Sequence, residues 1–184
     1  MAPHPRTVLF DLDGTLLDSD AALLSPFAAL GVTDADLPPL GLPLGLACER
    51  AGIAVADYLD RYDPNEAQPF PGVDAMVRQL DRWGVCSNKE RSSGRAELAR
   101  LGWSPTVALF SDDFDGQPKV LDPVLLALEL LPADAVFIGD TNHDRACARV
   151  AGVEFALAGW NARAGAEPGD LVLAEPGDVL RLVR

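Results

Sequence analysis

The chain has 184 residues, an apolar fraction of 48% and a formal net charge of −13. That length suits one core domain with a small insertion, and no stretch reaches the roughly 18 to 20 apolar residues of a membrane span. The acidity speaks against nucleic acid as a partner, because phosphate backbones need clustered Lys and Arg. An anionic substrate would need a local positive centre, either a metal ion or a well-placed lysine.

Met1 to Arg6 leads toward a strand with no apolar signal region, and Cys48, Cys86 and Cys147 are scattered without a Cys-x-x-Cys pair. Both features lead to the expectation of a reducing, cytoplasmic setting with the thiols as small buried hydrophobes. Val8-Leu9-Phe10 reads as a buried strand that stops on Asp11-Leu12-Asp13-Gly14-Thr15. The segment from Ser19 to Gln68 has helical spacing, Pro and Gly punctuation and no evident strand; helices are expected over Ala21–Leu30 and from Leu46 to Ala51. Pro71-Gly72 opens an amphipathic helix through Val73, Met76, Val77 and Leu80. A short strand at Val85-Cys86 follows, ending at Ser87-Asn88. A helix over Ser93–Leu101 with Gly102 as its C-cap comes next, then a strand over Thr106–Phe110. Asp122-Pro123 starts a leucine-rich helix to Leu130. Ala135–Ile138 is a strand that stops at Gly139-Asp140, Asp144–Ala151 a helix closed by Gly152, and Phe155–Leu157 and Leu171–Leu173 the last strands. Such alternation predicts an α/β fold with a doubly wound parallel sheet. Residues 1–18 and 69–184 would form the core, and residues 19–68 a helical insertion. Placed directly after a chemically armed strand, that insertion reads as a lid, with a plain surface subdomain as the alternative.

The chemistry-bearing residues gather at strand ends, where parallel sheets bind ligands. Asp11 and Asp13, two apart in extended chain, point to one side and can converge on one atom. Two desolvated carboxylates need a cation or a shared proton, although an Asx turn would also use this pattern. Asp140 and Asp144 add two more carboxylates, and hard oxygen ligands suit magnesium; Asp144 could instead be only a helix N-cap. Ser87 and Asn88 offer a hydroxyl and amides for phosphate oxygens. Lys119, one of two lysines in the chain beside Lys89, can reach a phosphate and a carboxylate.

Phe10-Asp11-Leu12-Asp13-Gly14-Thr15-Leu16, Cys86-Ser87-Asn88-Lys89, Lys119 and Gly139-Asp140 to Asp144 resemble, in order, the four motifs of the haloacid dehalogenase superfamily. Within it the chain is most similar to the phosphoglycolate phosphatase-like group with a helical cap, through Leu17-Asp18-Ser19, Phe70-Pro71-Gly72-Val73 and the Gly41-Leu42-Pro43-Leu44-Gly45 loop. The family usually has Thr at Ser87 and Pro at Val120, and it places more residues between Gly84 and Ser87. The cap is small for the group.

The resemblance implies a magnesium-dependent phosphatase with a small phosphorylated metabolite as substrate. Asp11 would be the nucleophile, Asp13 the general acid and base, and Lys119 a catalytic cation. Ser87, Asn88, Lys119 and Gly41 would hold substrate, and Asp11, Asp13 (through its carbonyl), Asp140 and Asp144 would hold Mg2+. Haloacid dehalogenases proper lack the second aspartate, and a phosphonoacetaldehyde hydrolase would need a cap lysine, of which none precedes Lys89. A β-phosphoglucomutase-like phosphotransferase stays open, as does a non-catalytic binding protein on the same fold. Arg50 and Arg61, the cations of the insertion, would recognise a carboxylate-bearing substrate if one of them faced inward; otherwise the cap reads shape alone.

Overall fold

The computed structural model describes residues 6–183. The stretch Met1 to Pro5, expected to lead directly into the first strand, lies outside the described residues. β1 (Thr7–Phe10) is followed by a two-stranded ribbon of β2 (Leu17–Asp18) and β3 (Gln68–Pro69), then β4 (Trp83–Cys86), β5 (Val107–Leu109), β6 (Ala135–Gly139), β7 (Glu154–Ala158) and β8 (Leu171–Leu173). Six of these form one parallel sheet in the order β5-β4-β1-β6-β7-β8. The chain winds outward from β1 to β5 on one side, then crosses to β6 and winds outward on the other. The reversal falls between β1 and β6, which is where open α/β sheets bind ligands.

Alternation along the strands builds two cores. Val8, Phe10, Val136 and Ile138 face one apolar layer, and Leu9, Cys86 and Phe137 the other, as the period of two requires. α4 (Val73–Val77) and α5 (Arg91–Leu101) bury Val73, Met76 and Leu98 in the first layer. α6 (Asp122–Ala127) and α7 (Asn142–Ala151) bury Val124, Leu125, Cys147 and Ala148 in the second. Before α4 in the chain, α1 (Asp20–Ala29), α2 (Leu44–Ala51) and α3 (Val55–Leu59) form a third, separate cluster around Phe27, Ala47, Cys48 and Tyr58. All three cysteines are buried and free.

Several boundaries differ from expectation for local reasons. α4 ends at Val77, and the shortened helix lets β4 begin at Trp83. Gly84 therefore lies inside a strand, where a Cβ would come within 2.9 Å of Leu9 Cδ2. It is a close-packing residue and not a turn. α5 starts at Arg91 because the Glu90 carboxylate caps the N–H groups of Ser92 and Ser93 at 2.8 and 2.9 Å. α6 stops at Ala127, with Glu129 in the left-handed region. The N-cap reading of Asp144 is corrected: Thr141 is the N-cap, and Asp144 is the third helical residue closing a capping box with it. α3 and the β2–β3 ribbon had no sequence signal. The ribbon pairs Leu17 with Pro69 and Asp18 with Gln68, so the chain leaves and re-enters the core at one place.

Candidate active site

The carboxyl ends of β4, β1 and β6 bring Ser87, Asp11 and Asp140 to neighbouring positions. The ladders continue one residue past β1 and β4: the Asp11 N–H donates to Ile138 O at 2.9 Å, and the Ser87 N–H to Leu109 O at 3.0 Å. Asp11 is buried, and Lys119 Nζ, itself buried, lies 2.8 Å from its Oδ1 and 2.6 Å from Asp144 Oδ1. Carboxylate oxygens of Asp11, Asp140 and Asp144 all lie within 4.8 Å of one another.

One lysine cannot neutralise three carboxylates. Burial, joined by repulsion from Asp144 and Asp13, pushes Asp11 up to about 6 against the pull of Lys119. Burial and the charges of Asp11 and Asp144 push Asp140 up to about 8. Burial would also raise Asp144, but Lys119 and the Thr141 donors outweigh it and hold that carboxyl below the usual range. This excess of hard, negatively charged oxygen fits a divalent cation. Asp144 Oδ2 already accepts from the N–H groups of Asp140 and Thr141 and from the Thr141 hydroxyl. Asp140 is oriented by the Thr15 hydroxyl at 3.1 Å and Asn161 Nδ2 at 3.2 Å. Gly14, at φ +76°, lets the backbone pass so close that a Cβ would stand 2.3 Å from Asp140 Oδ2.

Asn88 ties three loops together. Its Oδ1 accepts the Lys119 N–H at 2.7 Å, and its Nδ2 donates to Gly41 O at 2.7 Å. Gly41, Ser87 and Asn88 all line a cavity of about 410 Å³ that also reaches Asp11, Asp13 and Asp140. Ser87 is buried, and its Oγ accepts the Lys89 N–H at 3.3 Å.

Four further side chains, Lys89, Asn161, Trp160 and Arg163, contribute to the site without having been expected there. Lys89 is buried and joins Asp13 Oδ1 (2.9 Å), Glu97 Oε1 (3.0 Å) and the Tyr62 hydroxyl (2.8 Å); Tyr62 in turn donates to Glu97. Burial pushes Glu97 up to about 7, Lys89 opposing it and Asp13 adding to it. The rarity of lysine in this chain was the one available signal. Asn161 and Trp160 follow β7 and clamp the first loop through Gly14 O (2.7 Å) and Thr15 O (2.8 Å). Arg163 lines the cavity, whereas Arg50 and Arg61 do not. Both cap arginines are exposed, and Arg61 donates to Asp57 O, so neither meets the condition of facing inward on which carboxylate recognition rested.

A family model described as haloacid dehalogenase-like hydrolase matches residues 45–158. The phosphoglycolate phosphatase of Xanthomonas campestris pv. campestris is 33% identical, with 88% of this chain and 86% of that one covered. That of Xylella fastidiosa strain 9a5c is 35% identical over 86% of this chain and 82% of its own length. Among solved structures, a haloacid dehalogenase-like hydrolase from Streptococcus pneumoniae matches the fold with a TM-score of 0.73, covering 98% and 99% of the two chains at 23% identity. Fold and site together define an α/β enzyme with its acidic centre at the switch point of a parallel sheet. The chain belongs to the haloacid dehalogenase-like hydrolase family.

Proposed function

We propose that the protein hydrolyses a small phosphate monoester, with magnesium, through an aspartyl-phosphate on Asp11. The observation that carries this reading is the Asp11–Asp13 pair at the end of the central strand, with Lys119 and two further carboxylates gathered on Asp11. An Asp11 oxygen attacks phosphorus in line as the bond to the leaving oxygen breaks, and Asp13 gives its proton to the departing alkoxide. Water then attacks the phosphorus of the intermediate, Asp13 takes its proton, and phosphate leaves with the Asp11 carboxylate restored. Asp13 also separates this reading from dehalogenation, which needs no second carboxylate.

Magnesium fits the oxygens of Asp11, Asp140 and the Asp13 backbone carbonyl, and when bound it supplies charge that offsets repulsion between nucleophile and phosphate. Asp144, with its oxygens engaged by Thr141, Asp140 and Lys119, orients that set from beside it. Ser87, the Asn88 amide and Lys119 hold the remaining phosphate oxygens. Residues 19–68 act as the cap, with Gly41 brought to the site by Asn88. Phosphatases among the relatives support hydrolysis over mutase chemistry, and a small phosphorylated metabolite as the partner. Among the described residues no helix is long and apolar enough to cross a membrane; a cytoplasmic setting is part of the proposal. The test is phosphate release from a panel of small esters, after chelation and after magnesium is restored. Release that needs magnesium and vanishes in Asp11→Asn supports the reading; metal-independent release, or none, refutes it.

A further inference from the structure

Resting on that phosphatase reading, we infer that the substrate is the phosphate ester of an uncharged, largely apolar alcohol of aryl-alkyl size, and not of a short carboxylic acid or a sugar. The cavity has two unlike walls. Asp11, Asp13, Asp140, Ser87 and Asn88 make the floor, where the phosphoryl group reacts; Leu23, Leu24, Phe27, Leu40, Leu42 and Leu44 face it from the insertion. Leu23 and Leu24 are half-buried yet join none of the three apolar clusters. Their apolar surface thus serves the cavity and not the packing of the fold. A volume of about 410 Å³ lies in the range of small-molecule sites and leaves ample room beyond a phosphoryl group and two carbons.

Charge points the same way. Among the described residues, five carboxylates line the cavity (Asp11, Asp13, Asp20, Glu90 and Asp140) against two cations, Lys89 and Arg163. Both cations are already committed. Lys89 is held between Asp13 and Glu97, and Arg163 lies 2.6 Å from Asp18 and 2.7 Å from Asp20. A carboxylate on the leaving group would be desolvated there without a partner. Sugar hydroxyls would fare little better, because the polar side chains on the insertion's wall are also engaged. Tyr58 donates to Leu23 O, Tyr62 to Glu97, and Asp20 pairs with Arg163.

The experiment compares kcat/KM of the magnesium-loaded enzyme for ethyl phosphate, 2-phenylethyl phosphate, phosphoglycolate and glucose 6-phosphate. Ethyl and 2-phenylethyl alcohols are leaving groups of similar strength, so their difference reports burial of the ring. The phenyl ester is expected to exceed the ethyl ester at least tenfold, with phosphoglycolate and the sugar phosphate at or below the ethyl ester. In Leu40→Arg, a change at an exposed cavity residue, the ratio of phosphoglycolate to ethyl phosphate is expected to rise about tenfold as the missing cation is supplied. Equal rates for the ethyl and phenyl esters, a tenfold preference for phosphoglycolate or the sugar phosphate, or an unchanged ratio in Leu40→Arg would each overturn the inference while leaving the phosphatase reading intact. Absence of hydrolysis for every ester would overturn both.

Discussion

Replacing Lys89 with Met removes the cation that sits between Asp13 and the fully buried Glu97. Breaking a buried pair by deleting one partner costs about 3–5 kcal/mol, because a desolvated charge is left behind. Two features place this case at the lower end. Asp13 keeps some solvent contact, its side chain being 17% exposed, and Glu97 already sits near 7 and can take up a proton. The expected loss is about 3 kcal/mol at pH 8. Without Lys89, Glu97 stays protonated in the folded protein past about 7, where it ionises in the wild type, so the loss grows as pH rises above about 7 and is smaller at pH 6 than at pH 8. Lys89→Met/Glu97→Gln removes the stranded charge and is expected to recover at least half of the loss, a coupling of about 1.5 kcal/mol or more. Urea unfolding followed by tryptophan fluorescence, at both pH values and with chelator present, measures all four corners of the cycle. Additive costs, or a loss in Lys89→Met that is below about 1 kcal/mol and independent of pH, would refute the reasoning.

Further outcomes follow from the same geometry. Asp13→Asn is expected to slow esters of poor leaving groups far more than aryl phosphates, which need little protonation; steady-state rates across a leaving-group series would show a uniform loss if Asp13 is not the acid. Gly14→Ala sets a side chain at φ +76° and 2.3 Å from Asp140 Oδ2. It should cost about 1–2 kcal/mol in backbone strain and weaken magnesium binding at least tenfold by calorimetry, and wild-type affinity would count against Asp140 as a ligand. Asp140, Asp11 and Glu97 all hold protons in the folded state that the unfolded chain releases near pH 4. The metal-free protein should therefore lose stability as pH rises from about 4 to 8, and magnesium should raise Tm more at pH 8 than at pH 6. A magnesium-induced shift in Tm that is flat with pH would contradict this.

The layout of the core was legible because it rests on short-range pattern. Val8-Leu9-Phe10 could only be a buried strand, and Gly102 and Gly152 closed their helices in the left-handed conformation that such positions favour. Gly84 fell outside the strand expected at Val85-Cys86, because a glycine carries no apolar signal until Leu9 is seen to pack against it. The aspartates, Lys119, Ser87 and Asn88 stood out as candidates because each sits just after a strand or in a loop leading into a helix. Lys89 did not, since its setting comes from Glu97, eight residues further on in α5, and Tyr62 from the insertion, contacts that no local pattern encodes. The same holds for Asn161, which meets Gly14 only across the sheet. Which way Arg50 and Arg61 face stayed open in the sequence because short helices in a small insertion fix no facing direction by spacing alone.

The central claim is that Asp11 carries the phosphoryl group. Rapid acid quenching of enzyme turning over a phosphate ester with magnesium, followed by borohydride reduction and peptide mass spectrometry, tests it directly. An acyl phosphate on Asp11 would be reduced to homoserine at that position, and Asp11→Asn would show neither the adduct nor turnover. Full turnover with Asp11 unmodified at every quench time, or an adduct on another residue, would contradict the account.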